Sequence, residues 1–356
     1  MKSGSLFPLP PGKFDTGPTF RTHLIQHYKP RRGQRPLTMI LGLTKRSERD
    51  LPKALEMFGI ATERKWGQVW YLRAGKQSDG LQAYLSYEES GILVFYTTYR
   101  KTEEIPLIKR FLQRDTESHP LNIRPSSMQQ ALDSLLETDP QVKIVDFTAR
   151  RDLRSGARGK VRPGVERTVS YWGADGREVL EELQYTYGVL PTRMVFQIPG
   201  KAKFGMDQRG IITHQGGDLS LPLVYLGHAV TEAKQTLLAF DRSAFEVFSV
   251  KQGAGFSLPI SVPSVIRFKR KMEYSQVEDF EEALTRKGYT ILSSVAQEGS
   301  LYLSTDVISR EGVRFRIKAD EATMKLLPTD KRDFRGFLDL YDVVLGHIDP
   351  NAELVA

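Results

Sequence analysis

Hydrophobic positions along the chain keep switching between two periods. Leu51, Ala54, Leu55 and Phe58 carry the spacing of a helix with one buried face, and Gly59 ends it. A strand is predicted over 38–44 before this helix, and strands over 61–65, 68–73, 81–88 and 92–99 after it. Gly67, Gly75, Gly80 and Gly91 fall where turns belong. Helices over 102–113 and 126–136, a short strand over 121–123 and a strand over 142–148 complete this stretch.

The order then recurs. A strand over 168–172 leads to a helix that Asp175 can cap and Gly188 ends, followed by strands over 192–198 and 210–214 and a helix over 221–240. A third passage has a strand over 265–269, a helix from Ser275 to Gly288, strands over 289–295, 300–305 and 313–318, and a helix over 334–345. Eight residues before the three glycines stand Leu51, Leu180 and Phe280; five before stand Ala54, Leu183 and Ala283. The fold class read from this is α+β, with three diverged tandem two-layer units of strand, helix, antiparallel strands and helix. The units span 37–149, 168–263 and 264–356. A flexible basic N-terminal arm (1–36) and a basic linker (150–167) lie outside them.

With both helices on one sheet face, the other face is free. This element order resembles the units of TATA-binding-protein-like folds, in which a curved sheet meets nucleic acid. The resemblance is one of element order, and it implies a sheet surface for a polyanion.

Charge sharpens that implication. The net charge is +8 over 356 residues, and it is concentrated. Residues 21–35 hold five cations and no acid; residues 150–167 hold seven cations and two acids, so each segment carries +5 and the rest of the chain −2. A localised basic footprint on a balanced body suits a polyanion partner; the competing reading is two solvated loops. The candidate phosphate contacts are Lys29, Arg31, Arg32 and Arg35 in the arm, and Arg150, Arg151, Arg154, Arg158, Lys160 and Arg162 in the linker. The strand 313–318 adds Arg314, Arg316 and Lys318, which alternate with Val313, Phe315 and Ile317 and so share one face. Ile266-Arg267-Phe268-Lys269 alternates similarly, and pairing of the two strands would align their cations in a stripe.

Catalytic chemistry finds little support. There is no cysteine, which excludes thiolate metal sites and cysteine nucleophiles. No P-loop, dinucleotide-binding fingerprint, nucleophile elbow or HExxH occurs. A metal-dependent nuclease would need clustered carboxylates and a lysine. Glu246 and Lys251 come nearest, with Asp207, Asp218 and Asp241 preceding them, yet their odd spacing puts Glu246 and Lys251 on opposite faces of a strand. Residues 19–28 can form a short helix, on which His23 and His27 would share a face at a metal-compatible spacing without an acidic neighbour. His214 and His228 read as structural. Trp66, Trp70, Trp172, Tyr96 and Tyr99 read as core residues, with base stacking as the alternative.

The expectation is therefore a non-catalytic protein that binds nucleic acid, DNA or RNA, without cofactor or metal. It would be cytoplasmic, independent of membranes and open to protein partners in a complex. A structural subunit of a multiprotein assembly and a metal-dependent nuclease are the alternatives.

Overall fold

The computed structural model describes residues 9–28, 36–74, 81–88, 91–98, 105–151, 159–162, 165–250, 256–329 and 333–355. Residues 81, 244–250 and 256–260 are described by backbone alone. Two compact units result: Met1–Ala149 with Thr168–Glu182 and Leu190–Ala233, and Arg150–Arg167 with Leu183–Val189 and Lys234–Ala356. The molecule mixes α and β structure, and its sheets are built on antiparallel pairing.

The first unit opens with α1 (Gly17–His27), β1 (Leu37–Thr44), α2 (Leu51–Met57), β2 (Ala61–Trp66), β3 (Val69–Ala74), β4 (Leu81–Glu88), β5 (Ile92–Thr97) and α3 (Ile105–Arg114). It continues through β6 (Ser118–Pro120), α4 (Pro125–Thr138), β7 (Lys143–Arg151), β8 (Arg167–Trp172), α5 (Gly176–Tyr187), β9 (Leu190–Ile198), β10 (Ala202–Asp207), β11 (Ile211–Gly217) and α6 (Ser220–Arg242), of which the ends of β7, α5 and α6 and the start of β8 belong to the second unit. Its sheet runs β2-β3-β4-β5-β1-β11-β10-β9-β7-β8, and β6 adds to β1. β1 is central: β5 pairs along one edge, and β11 and β6 share the other. All eight of its residues are buried.

One face of β1–β5 carries the core. Leu51, Ala54 and Leu55 of α2 and Ile105, Ile108, Phe111 and Leu112 of α3 pack with Ile40, Trp70, Leu72, Leu85, Leu93 and Phe95. Gly59 ends α2 at φ +79°, a conformation that costs other residues 1–2 kcal/mol or so.

The opposite face corrects two expectations. Residues 9–28 are folded rather than a flexible arm, with α1 where a short helix is expected over 19–28, and they cover the sheet face expected to be free. Thr16 and Thr19 close a capping box at the start of α1, and Pro18 sits in the first turn, where its missing N–H costs nothing. Proline content therefore misleads here. Tyr71, Tyr84, Tyr96 and Met39 stand in one cross-strand row over β3, β4, β5 and β1. Phe20 packs on that row, 5.3 Å from Tyr84 and 5.1 Å from Tyr96 between ring centroids. The Tyr84 hydroxyl accepts from Leu9 N at 2.6 Å, and Arg21 donates to Glu88 at 3.1 Å.

Two histidines make this unit pH-sensitive. His23 contacts the Pro10 carbonyl at 3.0 Å and lies 4.2 Å from the His27 ring; burial, then repulsion from His27, lowers its pKa, against the raising effect of the carbonyl. Burial also lowers His214, with the Gly217 carbonyl and Asp218 opposing. Both take up a proton less readily in the folded protein than in the unfolded chain, where the ordinary value is 6.5. The unfolded state thus binds more protons, so this stability is complete above pH 6.5 or so and is lost as pH falls. Urea midpoints should be lower at pH 5 than at pH 7.5, with the difference reduced in His23→Gln/His214→Gln. Equal midpoints would refute this assignment.

The second unit holds β12 (Ala244–Val250), β13 (Phe256–Val262), β14 (Ser264–Arg267), α7 (Gln276–Lys287), β15 (Thr290–Gln297), β16 (Tyr302–Ile308), β17 (Arg314–Ala319), β18 (Thr323–Pro328), α8 (Phe334–His347) and β19 (Glu353–Val355). β12 and β13 form a hairpin. The main sheet runs β15-β16-β17-β18-β14-β19. Leu303, Phe315, Ile317, Met324, Leu326 and Ile266 face inward with Phe280 and Leu284 of α7 and Phe337 of α8 in the core. Tyr289 donates its hydroxyl to Gly336 O at 2.5 Å.

The first and last passages share one topology. The order β15-β16-β17-β18-β14 repeats β2-β3-β4-β5-β1, with a helix after the first strand and another after the last. The middle passage departs from it, because β8 neighbours β7 instead of β11.

Candidate nucleic-acid interface

The alternation along β17 holds. Phe315, Ile317 and Ala319 are buried while Arg314, Arg316 and Lys318 are exposed. The proposed partner strand is wrong, however: β14 pairs with β18 and β19, so β18 lies between β14 and β17. Sequence reading missed β18 because Thr323-Met324-Lys325-Leu326-Leu327-Pro328 has only one β-branched residue and ends in proline. Its alternation, with Met324 and Leu326 buried and Lys325 exposed, was the available signal.

The inserted strand enlarges the cationic face. Lys318 stands directly opposite Lys325, and Ser304 flanks Lys318 on the other side. Lys325 in turn stands opposite Val265, two residues from exposed Arg267. Arg316 forks onto Asp306 at 2.7 and 3.0 Å. That guanidinium holds the Asp306 carboxyl below its usual range, reinforced by Arg314 and Lys318. Asp320, at the turn, accepts from Ala322 N and Thr323 N at 2.8 Å. Lys318 and Lys325 have no ion pair among the described residues. Like charges directly opposite one another on a strand pair are destabilising, here offset in part by Asp306 near Lys318 and Asp320 near Lys325.

The equivalent row in the first unit is Tyr71–Tyr84–Tyr96–Met39. There the same topological positions carry rings, and α1 covers them. In the second unit they carry Ser304, Lys318, Lys325 and Val265.

The basic linker has a different character. Arg150 and Arg151 end β7, and Arg154 and Arg158 lie outside the described residues, as do Lys29, Arg31, Arg32 and Arg35 of the arm. Arg151 is a correction: only 3% exposed, it donates to the Arg162 carbonyl at 3.2 Å and is no surface phosphate ligand. Burial, then repulsion from Arg167, lowers its pKa. Arg150, Lys160 and Arg162 are exposed. Lys160 Nζ lies 3.5 Å above the Tyr185 ring, Arg167 lies 4.0 Å from the Tyr187 ring, and Val161 N donates to Thr186 O at 3.0 Å. Residues 159–162 therefore run along the last turn of α5.

The other candidates resolve singly. Trp70 and Tyr96 are core residues and Trp66 is half-buried against Tyr84, whereas Trp172 is 86% exposed at the end of an edge strand, contrary to its expected core role. Tyr99 lies outside the described residues. Asp207 is forked by Arg209 and Asp218 is taken up by Ser220, so neither is presented to a metal. Burial and the Gly217 carbonyl make His214 structural, while His228 is exposed on α6. Among the described residues no helix is long and apolar enough to cross a membrane.

Residues 128–209, from α4 to just past β10, match the model of the AF_0896_M family middle domain. The chain is also similar to an uncharacterized protein of Archaeoglobus fulgidus, at 24% identity over 315 residues, 84% of this chain and 85% of that protein.

Proposed function

We propose that this protein binds nucleic acid without catalysis, and that it contacts phosphates through the outer face of the second unit's sheet. One observation carries the reading: Lys318 and Lys325 stand opposite each other, exposed, on a sheet face that no described helix covers, and like charges so placed repel. A phosphate between them would convert that repulsion into attraction. Arg267, Arg314 and Arg316 extend the surface, and Arg150, Lys160 and Arg162 of the linker are secondary contacts. The shared strand order of the first and last passages further supports two diverged copies of a TATA-binding-protein-like unit, one covered by α1 and one over which no described helix lies. In the proposal the middle passage is a more divergent third copy.

The test is a low-salt binding panel with single- and double-stranded DNA and RNA. Binding that weakens steeply with salt is expected, with a log–log slope of about −0.9 per neutralised phosphate on duplex DNA. Alanine at Arg150, Lys160 and Arg162 should flatten the slope less than alanine at Lys318 and Lys325. Absence of binding to every polyanion, with a specific protein co-purifying instead, would replace this reading with that of an assembly subunit.

A further inference from the structure

Resting on the proposed function, we infer that the occupant of this sheet face is a single-stranded nucleic acid whose bases stack on Tyr302. The face is not uniformly cationic. Tyr302, 44% exposed, belongs to it by register, since it precedes Ser304 by two residues on β16 and Ser304 stands opposite Lys318. Such a diagonal neighbour lies about 7–8 Å away, within reach of a long side chain. On the adjacent strand β15, Val295 stands opposite Ser304 and is 63% exposed.

Two zones therefore adjoin on one surface. Tyr302 and Val295 stand on β16 and β15 beside the polar Gln297, Ser304 and Asp306 of the same face, and the cations Arg314, Arg316, Lys318, Lys325 and Arg267 stand on β17, β18 and β14. Ser294, in contrast, bonds to Thr305 and Glu281 on the side of α7, so Val295 and Tyr302 point away from the helix. A duplex presents phosphates outward and keeps its bases stacked inside, so it would engage the cations and leave Tyr302 and Val295 against water or sugar. A single strand offers both parts at once: phosphates for Lys318 and Lys325, and π-faces for the tyrosine ring. Successive outward residues on a strand are about 6.6–6.8 Å apart, close to the step of an extended nucleotide chain. Within the described residues the face also lacks a projecting helix to enter a groove, the usual means of reading a duplex.

The experiment measures fluorescence anisotropy of labelled single-stranded DNA, single-stranded RNA and duplex DNA with the full chain at matched salt. Either single strand should bind more tightly than duplex. Tyr302→Ala should weaken single-strand binding about tenfold and leave its salt slope and duplex binding unchanged, while Tyr302→Phe retains wild-type affinity. Lys318→Ala should instead reduce the slope on all probes. Duplex binding equal to or tighter than single-strand binding, with Tyr302→Ala neutral, overturns the inference and leaves the phosphate-contacting face standing. Failure to bind any probe overturns both.

Discussion

Lys318→Glu combined with Lys325→Glu is expected to lower nucleic-acid affinity on the order of a hundredfold at low salt. The two lysines occupy opposed positions on β17 and β18, so a bound phosphate meets both, and reversal replaces two attractions with two repulsions. Both positions are exposed, with Ile317, Ala319, Met324 and Leu326 carrying the adjoining core contacts, so the fold should survive. The single variant Lys325→Glu separates function from stability. It pairs a carboxylate with Lys318 and should raise stability by about 0.2–1 kcal/mol while weakening binding. A variant that is more stable and binds less shows that the wild-type pair is kept for its ligand. Unchanged affinity in the double variant would remove this face from the mechanism.

Phe20→Ala should destabilise the first unit by about 3–5 kcal/mol. Phe20 is fully buried and touches Phe14, Tyr84 and Tyr96, so truncation opens a cavity at the centre of the contact between α1 and the sheet. The cavity also weakens the bond from Leu9 N to Tyr84 and the Arg21–Glu88 pair, which depend on α1 being seated. Chemical denaturation reads the loss, and tryptic cleavage at Arg21 reports whether α1 has lifted. An unchanged midpoint with Arg21 still protected would mean that the helix does not hold the tyrosine row shut.

These two sites mark where sequence was informative. The helices α2, α5 and α7 are legible because amphipathic spacing ends at Gly59, Gly188 and Gly288, all at positive φ. The outward set Arg314, Arg316 and Lys318 is legible because period-two alternation needs no tertiary knowledge. Lys325 was not, since Leu, Met and Lys in β18 favour helix and only pairing with β17 and β14 makes them a strand. β10 hid behind Gly205 and Met206, and β13 behind Pro259. The cover over the first unit was hidden for another reason: nothing local says that Phe20 belongs against Tyr84 and Tyr96, about 64 and 76 residues further along the chain. Linker charge misled in the opposite sense. Arg151 adds to the basic count, but the sequence gives no sign that its guanidinium turns inward.

The central claim is that Lys318 and Lys325 neutralise phosphates. The most direct test is the salt dependence of binding for wild type and for Lys318→Ala/Lys325→Ala. Loss of the one phosphate that the two lysines share should reduce the magnitude of the log–log slope by about 0.9 on duplex or about 0.7 on single strands. Parallel lines for the two proteins, with equal affinity at every salt concentration, would contradict the account.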